Sequence, residues 1–263
     1  MQCWGVDFWE TYAPVMNWIS VWLLLVLSII HKLDTKYIDF VLAFSQAELK
    51  RNVFMELPYG FEYCEQGQYI LRLKKNLHGL SDASYSWFNK LAEGLEAKGY
   101  VRSEVDQCVF LRDDSVILVY IDDMIALSKD EQILNKLVAN LKAKNFILTD
   151  EGSLEKYLGV DVKRTKNGGL ELVQPFLIER ILTLLGMNDE SMHNSKATPA
   201  IRPLLNKDLK GEPRRNTWNY RTAIGMLTYL QGTTRPDISM AVHQCARFSV
   251  SPMLSNERAL KNW

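Results

Sequence analysis

Cysteine is scarce in this chain of 263 residues: Cys3, Cys64, Cys108 and Cys245 are the only four. No two stand at CxxC spacing, and none of His31, His78, His193 and His243 lies at ligand spacing from them. That argues against a zinc centre and against a disulfide framework. It points instead to a reducing, intracellular compartment, cytoplasm or nucleus, and away from secretion. A long hydrophobic run is missing too. The most apolar stretch, residues 18–30, falls short of the roughly 20 residues that a bilayer span needs. A basic start and a small-residue cleavage site are also lacking. We read this stretch as a core helix and expect no membrane partner. Net charge is absent, with 31 Lys and Arg against 31 Asp and Glu. There is no internal repeat and no low-complexity segment. What remains, 47% hydrophobic and 24% charged, is the composition of a globular chain able to bury a sizeable core.

The charge is unevenly spread. Residues 196–263 hold 11 Lys and Arg against 4 Asp and Glu. Residues 1–195 are correspondingly acidic. An acidic body with a basic C-terminal third suits a metal-binding centre beside a polyanion-binding arm, although a solvated basic face has the same composition. We draw the domain boundary at 195/196.

Periodicity and turn chemistry place the elements. Residues 1–17 are aromatic-rich and irregular. Residues 36–44, 53–57 and 69–73 read as strands. A helix is expected over 83–98, with Trp87, Phe88, Leu91 and Leu95 on one face and Gly99 ending it. Asp130 is placed to cap a helix running to residue 144. Residues 157–162 and 170–173 read as strands, with Asn167-Gly168 as the turn between them. Helices are expected over 175–185, 219–231 and 236–248, and residues 187–217 as a polar connector. The chain stops inside what reads as another helix, from which we expect a piece of something longer.

Two anomalies carry the chemistry. Residues 115–129 read SVILVYIDDMIALSK, two apolar strands joined at Asp122-Asp123. Carboxylates at the tip of a buried sheet are costly unless they meet water or a cation. In isolation this is equally a solvated turn, since Asp is an ordinary turn residue. The second anomaly is Asp39, inside the apolar run KYIDFVLAF; by itself it is also consistent with an edge-strand Asp capping a neighbouring backbone. Taken together, one acid on one strand and two on another form an oxygen-ligand set for two hard divalent cations. Such a pair clamps an in-line phosphoryl displacement.

The blocks that hold these acids resemble a known family. WETYAPVMNWISVWLLLVLSII, IDFVLAF with NVFMELPYGF, LKKNLHGLSDASYSWF, VYIDDMIALS, FILTDEG with KYLGVDV, and YRTAIGMLTYLQGTTRPDISMAV occur in that order. Together they are similar to the reverse transcriptase domain of copia-type LTR retrotransposon Pol polyproteins. The resemblance implies an α+β fold: a right-hand polymerase palm, built on an antiparallel sheet with flanking helices, with fingers and a partial thumb. Fingers and palm would occupy residues 1–195. A basic, mostly helical thumb or connection would occupy 196–263, stopping before any RNase H domain. The implied activity is RNA-directed DNA polymerisation, extending a primer 3′-hydroxyl with dNTPs on an RNA or DNA template. Two Mg²⁺ ions, with Mn²⁺ as a substitute, would serve it.

The resemblance also implies residue roles. Asp39, Asp122 and Asp123 would be the catalytic acids and metal ligands, helped by the backbone carbonyl of Phe40. Phe44 would be the steric gate against a ribose 2′-hydroxyl, although on its own it reads equally as core. Tyr120, Ile121 and Asp82 would lie at the nucleotide. Leu158 and Gly159 would belong to the primer grip. Lys74, Lys75, Arg214 and Arg215 are candidate nucleic-acid contacts, and Lys74 and Lys75 read as readily as a solvated pair. Trp87 reads as core packing.

Some positions depart from the family pattern. Trp22 stands for Arg, Ser45 for Pro, His78 for Tyr and Thr149 for Lys, and Asp82 and Ser84 fall in a Gln-Ala-Pro stretch. The departures keep a second reading open: a catalytically decayed copy that retains the fold and at most binds nucleic acid.

Overall fold

The computed structural model describes residues 2–6, 8–60, 69–187, 205–208, 210–215 and 218–261. The chain forms two compact units, Met1–Leu154 and Glu155–Trp263. The boundary read from charge at 195/196 lies outside the described residues, and packing places residues 155–187 with the C-terminal helices.

The first unit opens with helix α1 (Trp18–Ile30), whose bounds are those read from the sequence. Asn17 caps it by accepting from the Ile19 N–H at 3.0 Å. Asp106 ties down the same end, accepting from Ser20 Oγ at 2.6 Å. Only Val21, Leu24, Leu25 and Ser28 are buried. Ile19, Leu23, Val26 and Ile30 form an exposed apolar stripe, so the expected core helix is core on one face only.

Eight strands and three helices build the region around the site. They are β1 (Asp34–Phe40), α2 (Ala43–Gln46), α3 (Ala83–Glu96), β4 (Val101–Arg102), β5 (Val109–Arg112), β6 (Ser115–Tyr120), β7 (Asp123–Ser128), α4 (Glu131–Ala143) and β8 (Leu148–Gly152), together with β2 (Phe54–Glu56) and β3 (Ile70–Arg72), which pair as a separate ribbon. The main sheet is antiparallel throughout, in the order β4-β5-β6-β7-β1-β8. β7 lies at its heart. Met124, Ile125, Ala126, Leu127 and Ser128 are all buried, which is why this strand reads as an unbroken apolar run rather than an alternating one.

Registers assign the faces. Lys36, Ile38 and Phe40 point to the side covered by α3 and α4. There Phe40 meets Trp87 of α3 edge to face, with centroids 5.1 Å apart. Phe146 completes an aromatic triad, 5.9 Å from Phe40 and 6.0 Å from Trp87. Buried Lys36 donates to Asn135 of α4 at 2.5 Å and to Asp150 at 3.0 Å. Tyr37 and Asp39 point the opposite way. Asp130 caps α4 as expected, accepting from the Gln132 N–H at 2.8 Å.

In the second unit β9 (Lys156–Tyr157), β10 (Val160–Arg164) and β11 (Leu170–Val173) form an antiparallel sheet in the order β11-β10-β9. Helices α5 (Pro175–Leu185), α6 (Tyr220–Thr233), α7 (Ser239–Ala246) and α8 (Leu254–Lys261) follow, with a 3₁₀ turn at Pro236–Ile238. Ile181, Leu185, Tyr220, Leu227, Val242 and Cys245 anchor their common core.

The structure corrects several expectations. The strand expected over 36–44 ends at Phe40. Leu42 takes a left-handed conformation (φ 50°), and the chain turns into α2. Buried Gln46 locks this reversal: its amide donates to the Val41 and Ile147 carbonyls at 2.8 and 2.7 Å and accepts from the Ile147 N–H at 2.9 Å. The strand expected over 157–162 is instead two strands around a Leu158-Gly159 turn, both residues at positive φ (48° and 75°). β4, β5 and β8 are short or polar and carry no legible period. Most of the expected connector at 187–217 lies outside the described residues. No described helix is long and apolar enough to cross a membrane.

Candidate active site

The acids stand where the sheet opens. In the β1–β7 ladder Asp39 faces Asp123, in β6–β7 Tyr120 faces Asp123, and in β1–β8 Asp39 faces Thr149. Directly opposed residues share a face. Tyr120, Asp123, Asp39 and Thr149 therefore form one row across four strands. The first three are half-buried and Thr149 is exposed, whereas the next residues inward, Leu118 and Ile125, are buried.

Asp122 sits beside this row in the turn. The turn falls one residue earlier than the sequence suggested: it is Ile121-Asp122, and Asp123 already belongs to β7. Ile121 has φ 53°, a left-handed conformation that a β-branched residue avoids and that surroundings must enforce. Two hydrogen bonds supply the enforcement. The buried Trp87 indole N–H donates to the Ile121 carbonyl at 2.6 Å. The Phe40 N–H donates to the Asp122 carbonyl at 2.8 Å. The sequence showed Trp87 as core only; its role in holding the turn depends on a partner 34 residues away.

Electrostatics bind the three acids into one group. Burial, and then the charge of Asp122, hold the Asp39 carboxyl above the usual carboxylate range. Burial likewise raises Asp123; the hydroxyl of Tyr37 pulls it down, while Asp122 and Asp39 push it up. Tyr37 donates its hydroxyl proton to Asp123 Oδ1, and burial together with that bond raises its own pKa. No described Lys or Arg forms an ion pair with any of the three acids. Among the described residues no group of three or more His, Cys, Asp or Glu side chains is placed to hold a metal ion as it stands. The chemistry of the donor set nonetheless fits a hard cation: clustered carboxylate oxygens, mutually repelling and without a basic partner.

The other expected residues are dispersed. Phe44 is half-buried in α2, with its ring 5.5 Å from that of His78. Asp82 precedes α3 without capping it and instead pairs with Arg51 at 2.7 Å. Lys74 and Lys75 are exposed. In the second unit the Leu158 carbonyl accepts from the Tyr229 hydroxyl at 2.5 Å. Arg214 is not a free cation: it pairs with buried Glu257 at 3.3 Å, donates to the Trp218 carbonyl at 2.7 Å and lies 4.4 Å over the Trp218 ring. Arg215 is exposed and paired with Glu212 at 2.8 Å.

Comparison with known proteins agrees with the motif order. Residues 1–202 match a family described as "Reverse transcriptase (RNA-dependent DNA polymerase)". Over 98% of its length the chain is 30% identical to the Retrovirus-related Pol polyprotein from transposon TNT 1-94 of Nicotiana tabacum, of which it covers 20%. Over the same share it is 32% identical to that from transposon RE1 and 31% identical to that from transposon RE2 of Arabidopsis thaliana, covering 17% and 18% of them. It thus spans about a fifth of these curated relatives. With an antiparallel sheet, clustered acids and these relatives in hand, the chain belongs to the reverse transcriptase family, in the branch carried by the Pol polyproteins of copia-type transposons.

Proposed function

We propose that this chain is the polymerase part of a transposon Pol protein and extends a primer 3′-hydroxyl with dNTPs on an RNA template. The observation that carries the reading is the pairing of Asp39 with Asp123 on neighbouring strands, with Asp122 in the adjoining turn and no ion pair to any of them from a described Lys or Arg. Mg²⁺, or Mn²⁺ in its place, would be held by Asp39, Asp122, Asp123 and the Phe40 carbonyl, and would supply neutralisation of phosphate charge and acidification of the attacking hydroxyl.

The chain's own residues do the positioning. Trp87 and the Phe40 N–H fix the turn that presents Asp122. Tyr37 holds one oxygen of Asp123, Oδ1, by donating its hydroxyl proton to it. Tyr120 lies in the acid row and Ile121 at the turn beside it, where a primer end and an incoming base would rest. Phe44 is assigned to the sugar and Asp82 to the nucleotide pocket, while Leu158 and Gly159 are assigned to the primer grip. In this reading the six-stranded sheet with α3 and α4 is the palm and the C-terminal helices are the thumb. The proposed division of fingers and palm from thumb or connection stays at 195/196, while by packing the chain separates into Met1–Leu154 and Glu155–Trp263. The arginines of residues 196–263 contribute less to nucleic-acid affinity than their number implies, because Arg214 is internally engaged. An intracellular, reducing setting goes with this reading, and Cys108 and Cys245 are buried unbridged thiols.

The test is incubation of purified protein with a primed RNA template, dNTPs and Mg²⁺. Lengthened primer with released pyrophosphate is the expected outcome. Nucleotide breakdown without a primer would mark a phosphohydrolase, and neither product would mark the decayed copy.

A further inference from the structure

Tyr37 belongs to the acid group without being an acid. It stands two residues before Asp39, so both side chains leave β1 on one face. In the β1–β7 ladder Tyr37 faces Ile125 and Asp39 faces Asp123. Asp123 is therefore the diagonal neighbour of Tyr37, two positions along β7, where a long side chain can reach it. The β1–β8 ladder slips at the same place: Tyr37 faces Gly152 and Ile38 faces Asp150, which leaves Glu151 as an extra residue. A bulge of this kind re-aims the side chains around it. The Tyr37 hydroxyl donates to Asp123 Oδ1. Burial, that bond and the charges of Asp123, Asp39 and Glu151 keep the proton on Tyr37, so it stays a donor.

Asp123 is a carboxylate that needs holding. It is half-buried, Asp122 and Asp39 repel it, and no described Lys or Arg pairs with it. Left alone, it would turn away from its neighbours. A ligand that must first be turned back binds more weakly than one already in place. Carboxylates that hold metals are accordingly steadied by hydrogen bonds from groups that do not touch the metal. We infer that Tyr37 is a positioning residue for this group: its hydroxyl fixes the Asp123 carboxylate beside Asp39 and Asp122, and the group's affinity for a divalent cation depends on that hold. The inference rests on the reading of the three acids as a cation site. It asks nothing of a primer or a nucleotide, so it is tested without either.

The intact chain would be titrated with Mn²⁺ in the absence of nucleic acid and nucleotide, free Mn²⁺ being measured by its electron paramagnetic resonance signal. Asp122→Asn identifies the binding that belongs to the acids. Tyr37→Phe keeps the ring and removes the hydroxyl alone, and thermal unfolding checks that it is folded. It should weaken that binding about tenfold. Asp123→Asn should weaken it as well. The double variant Y37F/D123N should then bind within about twofold of Asp123→Asn, because the hydroxyl has no carboxylate left to hold. Unchanged or tighter binding in Tyr37→Phe would overturn the inference. So would a loss of the same size in the Asp123→Asn background, since the hydroxyl would then act through packing. Unchanged affinity in Asp123→Asn would overturn it too, and that arm does not depend on how Tyr37→Phe folds. A wild type with no binding that Asp122→Asn removes would do the same. Primer extension separates this inference from the polymerase reading. If the Mn²⁺ titrations come out as expected and wild type never lengthens a primer, the polymerase reading falls and the role of Tyr37 stands. If wild type lengthens primers and Tyr37→Phe holds Mn²⁺ as tightly as wild type, the role of Tyr37 falls and the polymerase reading stands.

Discussion

Phe44 and Trp87 decide how single side chains contribute. Phe44 stands five residues after Asp39, on the α2 turn rather than on a continuing strand, with a half-buried ring 5.5 Å from that of His78. A ring under the sugar tolerates hydrogen at C2′ and clashes with hydroxyl, so its discrimination is repulsive. Phe44→Val should lower the ratio of kcat/KM for dATP over ATP at least tenfold, about 1.4 kcal/mol. An unchanged ratio with both rates reduced would make it plain packing. Trp87→Phe retains the ring packing and removes the donor to the Ile121 carbonyl. Stability should fall by about 1–3 kcal/mol, the cost of leaving that carbonyl unpaired. Denaturant midpoints measure the loss, and primer extension should fall further than stability alone explains. The acids were legible as anomalies, because charge inside an apolar run is visible in one dimension. Trp87, Tyr37 and Gln46 were not, because their roles lie in hydrogen bonds to distant backbone and side chains that no periodicity reports.

Among the elements, α1 and α5 were read to the residue: α1 as the most apolar stretch of the chain, α5 from its marked ends, Pro175 and Gly186. The hairpin was legible as two apolar strands but misplaced by one residue. A left-handed isoleucine is not a pattern that local preference suggests, and the surrounding bonds override it. Leu158 broke its expected strand in the same way. One close approach sets how α3 sits on the sheet. A methyl group on Gly94 would stand 2.9 Å from the Phe146 ring, and that ring is held by Phe40, Trp87 and the Lys90 ammonium 5.5 Å from its centroid. Gly94→Ala gains about 1 kcal/mol of helix propensity but incurs overpacking of about 1–3 kcal/mol. A net destabilisation is expected, seen as a lower denaturant midpoint; a higher midpoint would show that the ring can yield.

For the molecule as a whole, buried groups with raised pKa values foretell sensitivity to base. Burial, and then Asp106, push the Cys108 thiol up to about 12, and burial pushes Cys245 up to about 11. Burial raises Tyr37, Tyr100 and Tyr220 as well. The folded chain keeps protons that the unfolded chain releases from about pH 8.5 for thiols and about pH 10 for phenols. Stability is therefore full below that range and falls as pH rises through it. Denaturant midpoints should drop steadily above about pH 9, and flat midpoints would contradict the burial of these groups.

The most direct trial of the central claim is Mg²⁺-dependent primer extension on RNA by wild type and by Asp122→Asn, with thermal unfolding run alongside as a check on folding. The account predicts extension by wild type and none by the equally folded variant, because removing one ligand charge weakens the hold on a hard cation. Equal extension by both proteins would contradict it.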